Sequence, residues 1–150
     1  MAISSGLITK LDARLRDDCD ISFDDYEVLV HLSEATDSRL RMSDLSDRLL
    51  YSRSRLSQRV DRMADRDLVS RAKVEDDARG TWAVLTDHGL ATIERCAPLH
   101  VEHVREHLFE HLDPEVVPDM AQAMQRLAIT FLDGPLMPPQ ASSTDSLANR

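Results

Sequence analysis

From Ser52 to Arg62 the chain reads Ser-Arg-Ser-Arg-Leu-Ser-Gln-Arg-Val-Asp-Arg, a run suited to nucleic acid. Arg can chelate the two acceptors of guanine, Gln can do the same for adenine, and Ser bonds bases or phosphates. No Asp or Glu falls between positions 48 and 60. The chain as a whole carries −9, a total that by itself argues against DNA, since affinity rests on Lys and Arg displacing counterions. Distribution decides the matter. Positions 48–79 hold nine of the eighteen basic residues, Lys73 and Arg79 among them, against six of the twenty-seven acids, so the window is +3 inside an acidic body. One basic face on such a body is the footprint of a DNA binder that stays off other nucleic acid. An Arg-rich solvated helix is the plainer alternative.

Two other groups of residues could do chemistry. His100, His103, His107 and His111 recur at i, i+3, i+7 and i+11, beside an apolar stripe of Val101, Val104, Leu108 and Leu112. Imidazoles three or four apart on a helix can ligate zinc. Zinc sites usually draw on more than one segment, however, and no cysteine joins the stripe. A solvated or interface stripe on the polar flank of a helix is therefore expected, with metal sensing or proton sensing as alternatives. Cys19 and Cys96 form no Cys-x-x-Cys pair and read as free thiols. Cys19 falls just beyond the expected end of a first helix among Asp17, Asp18 and Asp20, which disfavour a thiolate. No Gly-rich phosphate loop, His-Glu-x-x-His pair or Gly-x-Ser-x-Gly elbow is present, so no enzyme and no cofactor are expected.

The elements that must position the basic run can be read from period and caps. Leu7, Ile8, Leu11 and Leu15 predict a helix over about 4–17. Ser22 caps a second, with Asp24 and Asp25 in its first turn, ended by the polar stretch from Glu34 to Arg41. Ser43 is the expected cap of a third helix and Ser52 of a fourth, whose Leu56, Val60 and Met63 share one face. Residues 68–74 and 81–86 read as strands around a hairpin tip at 75–80. Thr86 caps a long helix with an apolar seam Leu90, Ile93, Ala97, Val101, Val104, Leu108 and Leu112, kinked at Pro98. Asp113-Pro114-Glu115 starts the last helix. The tail over 134–150 is expected to be disordered. With 42% hydrophobic residues, 150 residues suit one domain, and the first twenty lack an apolar run, so a cytoplasmic protein is expected.

Two short helices before a two-stranded wing make a winged helix-turn-helix. Here the order and spacing of Tyr26-Glu27-Val28-Leu29, Arg41-Met42-Ser43-Asp44-Leu45, Ser52 to Ser57, Asp67 to Arg71, Asp77-Ala78-Arg79-Gly80 and Leu85 to Gly89 resemble the MarR family of transcriptional regulators. The resemblance implies a mainly α fold with a small β-hairpin wing. It implies a single domain over 1–133, with the winged lobe at 22–86 and dimerisation helices at 1–20 and 87–133. It also implies a homodimeric, ligand-responsive repressor on an inverted-repeat operator in double-stranded DNA, answering a small aromatic or amphipathic effector. Candidate DNA contacts are Ser43, Ser52, Arg53, Ser54, Arg55, Ser57, Gln58, Arg59 and Arg62 on the helix pair, and Lys73, Asp77, Arg79 and Gly80 on the wing. In such a wing Arg79 would enter the minor groove and Asp77 would orient the hairpin through a salt bridge. Where the family usually has Gly after the recognition helix, this chain has Asp67, which must take a left-handed conformation at some cost unless the turn is rebuilt. A winged-helix module that contacts protein instead of DNA is the rival reading.

Overall fold

A computed structural model describes residues 2–75 and 77–131, without the side chains at 2, 3, 78, 79 and 131; the tail expected at 134–150 lies outside the described residues. The elements are α1 (Ala2–Cys19), α2 (Phe23–Ser33), β1 (Arg39–Arg41), α3 (Met42–Arg48), α4 (Arg53–Ala64), β2 (Val69–Val74), β3 (Asp77–Leu85), α5 (Asp87–His107) and α6 (Val117–Phe131). They fall into two compact units, Met1–Leu108 and Phe109–Arg150.

In the first unit, Leu15 of α1, Val28, Leu29 and Leu32 of α2, Leu45 of α3, Leu56, Val60 and Met63 of α4, and Ile93 and Cys96 of α5 close one core over the sheet residues Val69, Ala83 and Leu85. Each such aliphatic side chain contributes roughly 1.5–3 kcal/mol over its exposed state. The caps are local. Ser22 and Asp25 form a reciprocal capping box, Ser52 Oγ accepts from the Arg55 amide, and Thr86 Oγ1 accepts from the Gly89 amide. Gly89 has a further role, since a Cβ there would sit 2.0 Å from the Leu68 carbonyl oxygen. The close approach locks the start of α5 onto the turn that follows α4.

That turn is where Gly was missing. Asp67 adopts φ 55°, with its amide donating to the Ala64 carbonyl and the Leu68 amide to the Met63 carbonyl. These are the bonds of a Schellman cap, built on an aspartate. The turn is therefore kept, and Thr86 Oγ1 donates to the Asp67 carbonyl to hold it.

Several boundaries differ from expectation. α1 runs to Cys19, which is its last residue and is buried, so this thiol does not lie beyond the helix. Ser43 is not a cap: α3 starts at Met42 with Arg41 as its cap, and Ser43 Oγ donates to Asp44 inside the helix. The stretch before α3 contains β1, whose Leu40 is buried and which pairs antiparallel with β3, giving the order β1-β3-β2. Three residues are too few for a period-2 signal. Asp77–Gly80 belongs to β3 and not to the tip, and the register slips between Lys73 and Val74 as a bulge.

α5 continues through Pro98 and stops at His107, short of Leu112. Its buried face is Gly89, Thr92, Ile93, Cys96 and His103, while Leu90 and Val101 of the expected seam, and Leu99 outside it, stay exposed. In the second unit the Asp113 side chain and carbonyl accept from the Glu115 and Val116 amides. This turn delays α6 to Val117. Met124, Leu127 and Ile129 on α6 are exposed.

Candidate nucleic-acid interface

With Leu56, Val60 and Met63 anchored in the core, the opposite side of α4 carries Ser54, Gln58, Asp61 and Arg62, all exposed. Ser54 and Gln58, four apart, stand one turn above the other on that outward side. The two flanks of α4 differ in their chemistry.

One flank meets the wing. Arg53 and Ser57 line a cleft of about 340 Å³ with Arg41, Ser43, Arg71, Asp77 and Gly80. Arg71 Nη2 donates to the Ser57 carbonyl and to Ser57 Oγ, both at 3.0 Å, and pairs with Asp61 at 2.9 Å. Arg41 Nη1 donates to Asp77 Oδ2 at 3.1 Å. Gly80 permits this, because a Cβ there would come within 2.8 Å of the same carboxylate oxygen. Arg39 and Arg41 lie over the Trp82 ring, 5.0 and 5.4 Å from its centroid. Three guanidinium groups around one cleft suit a phosphate. Lys73 is exposed on β2. Arg79 lies on β3, and its side chain is outside the described residues.

The other flank turns toward α2. Arg59 is 14% exposed and donates to Asp24 and Asp25, each at 2.6 Å, and to Ser22 Oγ at 2.9 Å. It is thus held inside the protomer, and does not stand on the outward face as the sequence run suggests. Burial alone would raise the Asp25 carboxyl, but bonds from Ser22 and Arg59 overcome this and hold it below the usual carboxylate value. Arg55, one turn earlier, is more exposed: its guanidinium reaches Asp24 at 3.0 Å and stacks 4.1 Å over the Tyr51 ring. The Tyr51 hydroxyl donates to Glu27 at 3.1 Å. Arg66 closes the series by bonding to the Asp20 carbonyl and carboxylate.

The structure therefore gathers Ser43, Arg53, Ser57, Asp77 and Gly80 around one cleft, leaves Ser52, Ser54, Arg55, Gln58 and Arg62 exposed on α4, and separates Arg59 from them. Arg41, Arg71 and Trp82 join the wing side, and Asp24 and Asp25 the other. No sequence signal marked Arg41, since a three-residue strand is too short to show its period. Nothing local marks the acids, which lie some thirty positions from the arginines they meet.

Three of the four histidines of the stripe do not stand on a polar flank, while His111 is exposed beyond the end of α5. The His100 ring packs 4.4 Å from Tyr26 and 5.9 Å from Phe23, His103 is buried with Nε2 at 3.1 Å from Asp18, and His107 Nδ1 contacts the His103 carbonyl. Burial, then the neighbouring His103, push the His100 pKa down. Among the described residues no three His, Cys, Asp or Glu side chains form a group able to hold a metal. Burial, helped by a hydrogen bond with Cys19, pushes the Cys96 thiol up to about 12. No helix among the described residues is long and apolar enough to cross a membrane.

Comparison with known proteins bears on this geometry. The MarR family's sequence model matches residues 20–80. AbsC, a MarR family transcriptional regulator from Streptomyces coelicolor, is 38% identical, with 89% of each chain covered and a TM-score of 0.81. Sco3205, a MarR family regulator from the same organism solved in complex with DNA, is 35% identical over 86% of this chain and 84% of its own, with a TM-score of 0.80. A mutant MarR from E. coli complexed with operator DNA shares the fold at 21% identity and a TM-score of 0.75, over 84% of this chain and 88% of its own. No curated protein sequence matches the chain.

Proposed function

The chain belongs to the MarR family of transcriptional regulators, and on that footing we propose that it is a DNA-binding regulator that reads an operator with α4 and the wing. The observation that carries this is the outward side of α4, where Ser54 and Gln58 are exposed beside the arginine-lined wing cleft. A helix of this kind enters the major groove while the flanking cations take phosphates. The protein acts as a homodimer on an inverted repeat with half-sites about one helical turn apart. Exposed Leu90, Leu99 and Val101 on α5, and Met124, Leu127 and Ile129 on α6, favour a partner copy.

Repression relieved by a small aromatic or amphipathic effector is the output that accords with the family. The aromatic wall of Phe23, Tyr26 and His100 supports an effector of that chemistry. Action on chromosomal DNA belongs in the cytoplasm. A test starts from a site selected out of a random duplex pool. Gln58→Ala should cost about 1–3 kcal/mol on the selected site and much less on a scrambled duplex. Failure to select any site, or equal losses on both duplexes, would remove α4 as the reading element. A protein-interaction module would show no steep fall of duplex affinity with salt.

A further inference from the structure

We propose that Asp24 is an affinity-limiting residue of the DNA-reading face, which holds Arg55 in an ion pair so that this arginine adds little to the binding of arbitrary DNA. The proposal rests on α4 being the DNA-reading helix. Arg55 lies in the first turn of α4, where a recognition helix presents side chains to bases. Its guanidinium is folded back, with Nη2 3.0 Å from Asp24 Oδ2 and the plane over Tyr51. Asp24 cannot leave, because the same oxygen also accepts from Arg59 at 2.6 Å, and Arg59 is fixed by Asp25 and Ser22. The tether is thus anchored at the protein end and open at the arginine end, where Arg55 is 56% exposed and Asp24 28%. Arg53, two residues away, makes no ion pair among the described residues and points into the wing cleft.

Competition decides where Arg55 goes. An exposed ion pair is worth at most about five-fold in an equilibrium constant. A single screened phosphate contact is of the same order, so exchanging one for the other gains little. A bidentate contact to guanine is worth about five- to a hundred-fold and wins. Asp24 therefore silences most of one charge on arbitrary DNA, while on a matched site Arg55 is released at the cost of its ion pair, so that both affinities are held down.

The experiment compares binding to a scrambled duplex and to the pool-selected site across salt concentrations. On the scrambled duplex Arg53→Gln should lower the slope of log affinity against log salt by about one unit, and Arg55→Gln by about half of that. Asp24→Asn should raise scrambled-duplex affinity by about three- to five-fold and steepen the slope, with Asp24→Glu close to wild type and Asp24→Asn without effect in the Arg55→Gln background. Equal slope losses for Arg53→Gln and Arg55→Gln would overturn the tether even if Asp24→Asn does not fold. So would an Asp24→Asn gain that persists without Arg55, since that would be a bulk charge effect. If the wild type binds no duplex, the reading of α4 fails instead.

Discussion

Arg59→Met separates a clamp from a DNA contact. The substitution keeps an apolar stem against the core and removes the guanidinium. That group bonds to Asp24, Asp25 and Ser22 and is 14% exposed. Removing one partner of a buried pair typically costs about 3–5 kcal/mol, mostly from the charge left unpaired. Two features reduce the figure here. Asp24 is 28% exposed and keeps Arg55, and the Asp25 carboxylate keeps the bond from the Ser22 amide. The expected loss is therefore about 2–3 kcal/mol. Denaturant unfolding at one fixed protein concentration measures it, since the stability of a dimer depends on concentration. The pH dependence supplies an independent reading. The Asp25 pKa is depressed in the folded chain, so its contribution is complete above the unfolded value of 3.8 and is lost as pH falls through the folded value. The gap between wild type and variant should accordingly narrow as pH falls into the carboxylate range, because the carboxyl left without Arg59 protonates more readily while the wild type loses its contribution below 3.8. A loss under about 0.5 kcal/mol, together with a salt slope for DNA reduced by a full unit, would show that Arg59 faces phosphate and that the clamp reasoning is wrong.

Gly89→Ala should destabilise by about 3 kcal/mol, because the new Cβ lies 2.0 Å from a backbone oxygen that cannot move without breaking the Schellman turn; a thermal midpoint within a degree or so of wild type would contradict that packing. Acidification should destabilise the fold from near neutrality. Burial lowers the folded pKa values of His31 and His100, so the unfolded chain binds protons first and stability declines as pH falls from the unfolded value of 6.5. Unfolding midpoints from pH 7.5 to 5 test the sign, and stability that is flat or rising toward about pH 5 would refute it.

The sequence was informative wherever the controlling interaction is local. The Ser22, Ser52 and Thr86 caps are each completed within three residues, and the Leu56, Val60 and Met63 face follows from helical period alone. Asp67 was legible for the same reason, since a chain that must turn after α4 needs a left-handed residue whatever its type. Ser43 misled because serine is a good cap in general, yet strand β1 delivers Arg41 to that position. Period also failed on α5, where an apolar seam and a histidine stripe are offset by one position. The burial of His103 with 64% exposure of Val101 follows from Asp18, far away in sequence, giving the imidazole a partner.

The charge pattern shows the same limit most sharply. Counting cations from 48 to 79 gives a basic face, but the count is blind to the carboxylates that fold onto it. Arg55 and Arg59 meet Asp24, Arg66 meets Asp20, and Arg71 meets Asp61. Four of the nine cations are thus at least partly spoken for. What remains for DNA is narrower than the run of arginines suggests: Arg48 at the end of α3, Arg53 and Arg62 on α4, Lys73 and Arg79 on the wing, and whatever each tether releases. A paired surface of this kind repels nucleic acid less than the net charge implies and attracts it less than the local charge implies. Selectivity then depends on which ion pairs a given duplex can open.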